Sequence, residues 1–150
     1  MSGTYVTDND VRLQIYSYFR EHGRPPTAEE TAGALSLSTA QAMAAYRRLA
    51  GDHVIVLQPG TYNIWMANPW SAVPTSFEVE ASGRHWWGNC IWDALGIIAM
   101  LGGPGQVTTG CPDCADPLTI SVQDGTLRPA QAVVHFAVPA AHWWDDIGYT

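Results

Sequence analysis

Residues 88–101 have the sequence GNCIWDALGIIAML and decide how the second half of this 150-residue chain folds. A helix is predicted over residues 89–101 because apolar residues recur at a spacing of three or four, namely Trp92, Leu95, Ile98 and Ala99. Asn89 is the predicted N-cap, and a Gly-Gly-Pro sequence ends the helix. Cys90 is then expected at the first helical position, with Asp93 on the same face three residues later.

The pairing of Cys90 with Asp93 suggests catalytic chemistry. Unpaired amides and the positive end of the helix dipole favour a thiolate at a helix start. An aspartate close to a thiolate in an apolar pocket is expected to have a raised pKa. Sulfur that binds a soft electrophile and an acid that delivers a proton are complementary groups. Three neighbouring tryptophans are expected to line the pocket and keep it dry: Trp86, Trp87 and Trp92.

A plainer interpretation of the same two residues remains open. A lone cysteine is often a small buried hydrophobe. An acid in the first turn of a helix stabilises the helix dipole without any catalytic role. The spacing alone does not decide between these interpretations.

The first 66 residues predict three short helices followed by a hairpin. The helices are expected over residues 7–23, 27–35 and 38–50, and the strands over residues 53–57 and 62–66. This order is typical of a winged helix-turn-helix unit. In a DNA-binding unit the third helix enters the major groove. Here that helix offers Gln41, Arg47 and Arg48 among five alanines, so a purely structural subdomain is the alternative.

The remainder divides into a packed linker, residues 67–83, and a core, residues 84–150. Three further strands are predicted: residues 106–109, 118–122 and 132–138. Asp124-Gly125 is the expected hairpin turn between the last two strands, and residues 140–146 are expected to form a final helical turn. The predicted class is α+β, a winged helix-turn-helix-like three-helix unit plus a small mixed sheet packed on a buried helix.

A second motif is Cys111-Pro112-Asp113-Cys114. Two thiols at this spacing chelate a soft metal or form a disulfide. A structural zinc site normally has four ligands, so zinc at Cys111 and Cys114 would need His135 or His142 to complete it. A plain turn and a redox pair are the alternatives.

Composition narrows the functional classes. Fourteen acidic residues oppose seven basic ones, all arginine, and the net charge of −7 argues against general nucleic-acid binding. The sequence contains no apolar run long enough for a membrane span and no signal-peptide pattern, so a cytoplasmic protein is expected. Three cysteines, an odd number, exclude a complete disulfide framework and favour reduced thiols.

The ordered set of parts resembles the organomercurial (alkylmercury) lyase family over roughly residues 7–150. The matching parts are the three-helix unit, the linker NPWSAVPTSFEV, the segment WGNCIWD opening a helix, the cysteine-bearing turn and WWDDIGYT. Members of this family cleave R–Hg⁺ to RH and Hg²⁺ without an added cofactor. The resemblance implies that Cys90 binds mercury as a thiolate and that Asp93 holds or relays the proton delivered to the departing carbon.

The sequence departs from the family pattern at one place. The family carries a second mercury-binding cysteine on a strand after the segment that resembles WWDDIGYT, and no cysteine of this sequence has the equivalent position. Cys111 and Cys114 lie in an earlier turn that is not catalytic in the family. A one-thiol site is expected to be slower. The absence of that strand would also expose a sheet edge to a second copy or a partner strand.

Three hypotheses follow. The first is a lyase that acts on a small organometallic substrate and leaves Hg(II) as product or bound ligand. The second is a non-catalytic soft-metal-binding protein of the same fold, with Cys90, Cys111 and Cys114 as ligands. The third is a winged-helix regulator that responds to a metal, which the acidic charge disfavours.

Overall fold

The chain folds into four α-helices and one eight-stranded sheet in a computed structural model that describes residues 5–129 and 131–149. The predicted N-terminal unit includes residues 1–4 and the predicted core, residues 84–150, includes residues 130 and 150; these six residues lie outside the described part of the chain. The helices are α1 (Asp8–His22), α2 (Ala28–Leu35), α3 (Thr39–Gly51) and α4 (Ile91–Leu101), and a 3₁₀ helix spans Ala140–Asp145. The strands are β1 (Val56–Leu57), β2 (Ile64–Ala67), β3 (Trp70–Ser71), β4 (Glu78–Ala81), β5 (Arg84–Gly88), β6 (Gly105–Gly110), β7 (Pro117–Gln123) and β8 (Thr126–Arg128). The α+β class is confirmed.

Each of the three N-terminal helices begins at a capping box. The cap side chain accepts from the amide three residues on, and that residue's side chain accepts from the cap amide. The pairs are Thr7 with Asp10, Thr27 with Glu30, and Ser38 with Gln41. The helices and the β1–β2 hairpin follow in the predicted order, whereas the winged-helix assignment stays a prediction.

The strands lie in the order β1-β2-β3-β5-β4-β6-β7-β8, and every pairing is antiparallel. The predicted mixed sheet is therefore corrected. The α4 crossover makes β5 and β6 run in the same direction, but β4 lies between them and pairs with both. The carboxyl ends of β5 and β6 consequently meet the same edge of the sheet, where Cys90 follows β5 and Cys111 follows β6.

Of the three strands predicted in the second half, residues 106–109 and 118–122 are confirmed within β6 and β7, and residues 132–138 are wrong. The Asp124-Gly125 turn joins β7 to β8, not to residues 132–138, which form no strand. Pro129 follows β8 directly, and its missing amide prevents the ladder from continuing. The linker, residues 67–83, is also more regular than expected, because it contributes β3 and β4 to the sheet. The division into units at residues 66 and 84 remains a prediction. Strand β3 of the linker pairs with β2 of the first unit and with β5 of the core, so one sheet runs through all three segments.

Helix α4 packs on the sheet through Ala94, Ile97 and Ile98. This face is offset from the predicted one, since Trp92 is 66% exposed and Ala99 is exposed. The offset arises because Gly88 lies directly against Ala94: a Cβ added to Gly88 would be 2.7 Å from the Ala94 amide nitrogen. The first turn of α4 is thereby fixed against the end of β5. None of the helices in residues 5–129 and 131–149 has the length and apolar character to cross a membrane.

Candidate active site

Cys90 is the N-cap of α4. Its backbone is extended (φ −145°, ψ −179°), its carbonyl accepts from the Ala94 amide at 2.9 Å, and its Sγ accepts from the Asp93 amide at 3.5 Å. The prediction of Asn89 as the cap is wrong by one residue. The sulfur itself occupies the position of a capping acceptor, so Cys90 and Asp93 are coupled through the backbone of the first turn.

The sequence predicts a thiolate at Cys90, but the surroundings of this residue favour the protonated thiol. Burial raises the pKa of the Cys90 thiol, and although the Asp93 amide opposes this, the Asp93 charge adds to it. Desolvation penalises the charged form of a half-buried group more than one long amide contact favours it. The surroundings of Cys90 therefore favour the thiol over the thiolate.

Asp93 has the raised pKa that the sequence suggested. Burial of the carboxyl group is the main cause, and a hydrogen bond from Asn89 opposes it. A carboxyl group of this kind keeps its proton to a higher pH than an exposed aspartate, which suits it to donate that proton.

Asn89 is a site residue that the sequence did not reveal beyond its capping potential. Its Nδ2 donates to Asp93 Oδ2 at 3.1 Å and to Asn68 Oδ1 at 3.0 Å. Its Oδ1 is buried and has no hydrogen-bond partner among the described residues. A buried acceptor without a hydrogen-bond partner costs free energy. Through its Nδ2 donor, Asn89 orients the acid of the site.

A cavity of about 560 Å³ opens over Cys90, Asn89 and Asp93. Aromatic side chains supply much of its wall: Trp65, Phe77, Phe136, Trp143, Trp144 and Tyr149. The far wall comes from residues 135–149, which reach the N-terminal half where Trp144 stacks on His53 with ring centroids 4.1 Å apart. A cavity of this size is large enough for a small organic ligand.

The predicted pocket walls, Trp86, Trp87 and Trp92, do not line this cavity. Trp86 is 2% exposed in the core, where its Nε1 donates to the Phe19 carbonyl at 2.8 Å and ties β5 to α1. Trp87 lies in the β5 ladder opposite Ser71 and Glu78. Trp92 is 66% exposed and lines a neighbouring cavity with Phe136 and Trp143. The cavity is aromatic as expected, but its tryptophans come from segments distant in sequence.

The family assignment rests on the C-terminal half. A family model described as MerB, alkylmercury lyase, matches residues 70–150, which is more than half of the chain. The chain belongs to the alkylmercury lyase family.

The fold agrees with this assignment. The solved structure described as the mercury-bound form of MerB2 is similar with a TM-score of 0.66 and 20% sequence identity. The similarity covers 80% of this chain and 57% of the other, so this chain spans a little over half the length of that protein. No curated protein is similar enough to match the sequence.

In this alkylmercury lyase family member, the CPDC turn lies outside the cavity. Cys111 is half-buried and Cys114 exposed, and neither is in a disulfide or lines the space over Cys90. The backbone amides of Cys114 and Asp113 lower the pKa of Cys111. Within residues 5–129 and 131–149 no group of three or more His, Cys, Asp or Glu side chains is placed to hold a metal ion. His135 and His142 therefore do not complete a four-ligand zinc site with this turn.

The polar residues of α3 are engaged within the chain. Arg48 forms a two-pronged ion pair with Asp8 (both N–O distances 2.7 Å), and Arg47 lies 4.7 Å above the Tyr62 ring. Gln41 is held in the capping box with Ser38. A cavity of about 580 Å³ beside α1 and α3 includes this ion pair and no thiol. These contacts give α3 a structural role, while the prediction that DNA is not a partner remains untested.

Proposed function

We propose that this protein cleaves a carbon–mercury bond by protonolysis, with Cys90 as the mercury ligand and Asp93 as the acid. The observation that carries the proposal is the shared first turn of α4: the Cys90 sulfur accepts from the Asp93 amide at 3.5 Å, and both residues line one aromatic-walled cavity of about 560 Å³. Family membership supports a lyase in general, and the residue roles are inferred from the site.

Binding is an exchange at mercury. The Cys90 sulfur forms an S–Hg bond with R–Hg–X, the Hg–X bond breaks, and the thiol proton leaves with X as HX. Because burial raises the pKa of the Cys90 thiol, the sulfur carries a proton before mercury binds, and the metal must displace that proton. Soft thiolate ligands favour soft metals, so hard cations do not compete well.

Cleavage is a proton transfer from Asp93 to carbon. The electron pair of the C–Hg bond forms the new C–H bond, RH leaves, and Hg(II) stays on Cys90 next to the Asp93 carboxylate. That carboxylate compensates the positive charge left on mercury, and the Asn89 Nδ2 group, 3.1 Å from Asp93 Oδ2, stabilises it as it forms. The aromatic wall accommodates the apolar R group.

The cavity gives the product mercury only one thiol. Among the described residues that line it, Cys90 is the one cysteine. Release of Hg(II) then depends on a second thiol from outside the cavity. Stoichiometric retention of mercury without hydrocarbon release would instead support the alternative function, a soft-metal-binding protein of the same fold.

The test is hydrocarbon production from phenylmercury. Wild-type protein with excess small thiol is expected to release benzene, Cys90→Ser to release none, and Asp93→Asn to be slower by on the order of 10²–10⁴-fold because the general acid is lost. Cys114→Ser is the matched control, since Cys114 is exposed and lies outside the cavity. Benzene release by Cys90→Ser at the wild-type rate would refute the proposal.

A further inference from the structure

The CPDC turn joins β6 to β7 and holds two thiols that the proposed reaction does not use. The Cys111 amide donates to the Asp116 carbonyl and the Ala115 amide to the Cys111 carbonyl, both at 2.9 Å. Ala115 adopts the left-handed conformation (φ 61°) that closes the turn. Cys111 and Cys114 lie three residues apart in this turn, and neither is in a disulfide. The turn thus presents two adjacent reduced sulfurs on a hydrogen-bonded backbone.

The CPDC turn offers two ligands, which favours a cation that needs only two. In the described part of the chain, no third His, Cys, Asp or Glu side chain joins a metal-holding group with these two. A tetrahedral zinc site would lack two of its four ligands. Soft thiolate pairs instead suit a soft cation that is satisfied by two ligands, and Hg(II) binds two thiolates in a near-linear arrangement.

The position of the turn relates it to the candidate active site. β5 and β6 both run antiparallel to β4, so Cys90 and Cys111 leave the sheet at the same edge. The two strands are two strand spacings apart, about 10 Å. Cys114 is exposed, so a cation that leaves Cys90 through solution meets an accessible dithiol at the same end of the molecule.

We propose that Cys111 and Cys114 form a second mercury site, a dithiol that binds one Hg(II) per chain as a bis-thiolate. One Hg²⁺ displaces one proton from each thiol, giving two S–Hg bonds and two released protons. Binding at this site is independent of the lyase reaction. Its role as an acceptor for Hg(II) released from Cys90 rests on the proposed function.

The test uses the Cys90→Ser chain, which keeps only these two cysteines. After reduction and removal of the reductant, HgCl₂ is titrated and the bound mercury, the thiols still open to a thiol reagent and the thiolate-to-mercury ultraviolet absorption are measured. We expect one Hg(II) per chain, loss of both thiols together and a chain that stays in its original oligomeric state. Circular dichroism before and after titration checks that the fold persists.

Matched variants test the chelate. Cys90→Ser/Cys114→Ser and Cys90→Ser/Cys111→Ser are each expected to bind Hg(II) weaker by on the order of a hundredfold or more, because the second thiolate no longer binds intramolecularly. The proposal is overturned by one Hg(II) shared between two chains, by loss of only one thiol per mercury, or by a zinc ion held more tightly than Hg(II). Since Cys90 is absent throughout, failure of the lyase proposal does not affect this result.

Discussion

Gly88→Ala tests how the close contact between β5 and α4 positions the site. A Cβ on residue 88 would lie 2.7 Å from the Ala94 nitrogen and 2.8 Å from both its Cα and Cβ. Carbon atoms pack at about 3.5–4.0 Å, so α4 would have to move by about 1 Å. The obstacle is mainly helix backbone, which cannot rotate away as a flexible side chain does.

The cost of this overpacking is about 1–3 kcal/mol of unfolding free energy. At about 2–4 °C per kcal/mol for a chain of this size, the Tm should fall by about 2–12 °C. The shift also moves the first turn of α4, so the alkylation rate of the half-buried Cys90 should rise. Thermal unfolding followed by circular dichroism, with thiol alkylation read by mass spectrometry, measures both effects.

Gly33→Ala is the matched control. Gly33 lies within α2, and a Cβ there would meet nothing within 4 Å. Alanine in a helix interior gains about 0.5–1 kcal/mol over glycine, so this variant should melt slightly above the wild type. A Gly88→Ala protein that melts at or above the wild-type temperature would refute the close-contact argument.

Three further predictions concern the acid and the product. Asn89→Ala removes a hydrogen bond that lowers the pKa of Asp93, so the alkaline limb of the pH–rate profile should move to higher pH; a limb that stays or moves down contradicts this role. Asp93→Asn should raise the Tm at pH 7. Because the pKa of Asp93 is raised in the folded state, its contribution to stability is present below the ordinary value of 3.8 and is lost as the pH rises through the folded-state pKa. The gain in Tm should therefore vanish as the pH falls, and a variant that is destabilised at pH 7 would argue against a desolvated carboxyl group. Added small thiol should raise steady-state turnover without changing the first turnover, whereas equal stimulation of both would place the thiol in the cleavage step.

Much of the site could be predicted because its signals are local. The helix over residues 89–101 and the pairing of Cys90 with Asp93 follow from periodicity and spacing within one segment. The cap was misplaced by one residue because asparagine and cysteine both carry an acceptor, and only the backbone shows that Cys90 is extended. The raised pKa of Cys90 has no signal in the sequence, because desolvation depends on the whole fold.

The errors in the fold have a different cause. Residues 132–138 have the apolar character of a strand, yet β8 takes the pairing next to β7 and Pro129 ends it. The sequence predicts cavity walls made of the tryptophans near Cys90, whereas Trp65 and Trp143 reach the cavity from segments far away in sequence. Such long-range packing leaves no periodic signal in one sequence.

The most direct test of the central claim is a single turnover in D₂O. Phenylmercury is bound in equal amount to reduced protein with excess ligand removed, and the released benzene is analysed by mass spectrometry. We expect singly deuterated benzene at up to one equivalent per chain, with mercury retained by the protein, and strongly reduced release from Asp93→Asn. Intact phenylmercury on Cys90 with no benzene, or equal release from Cys90→Ser, would contradict it.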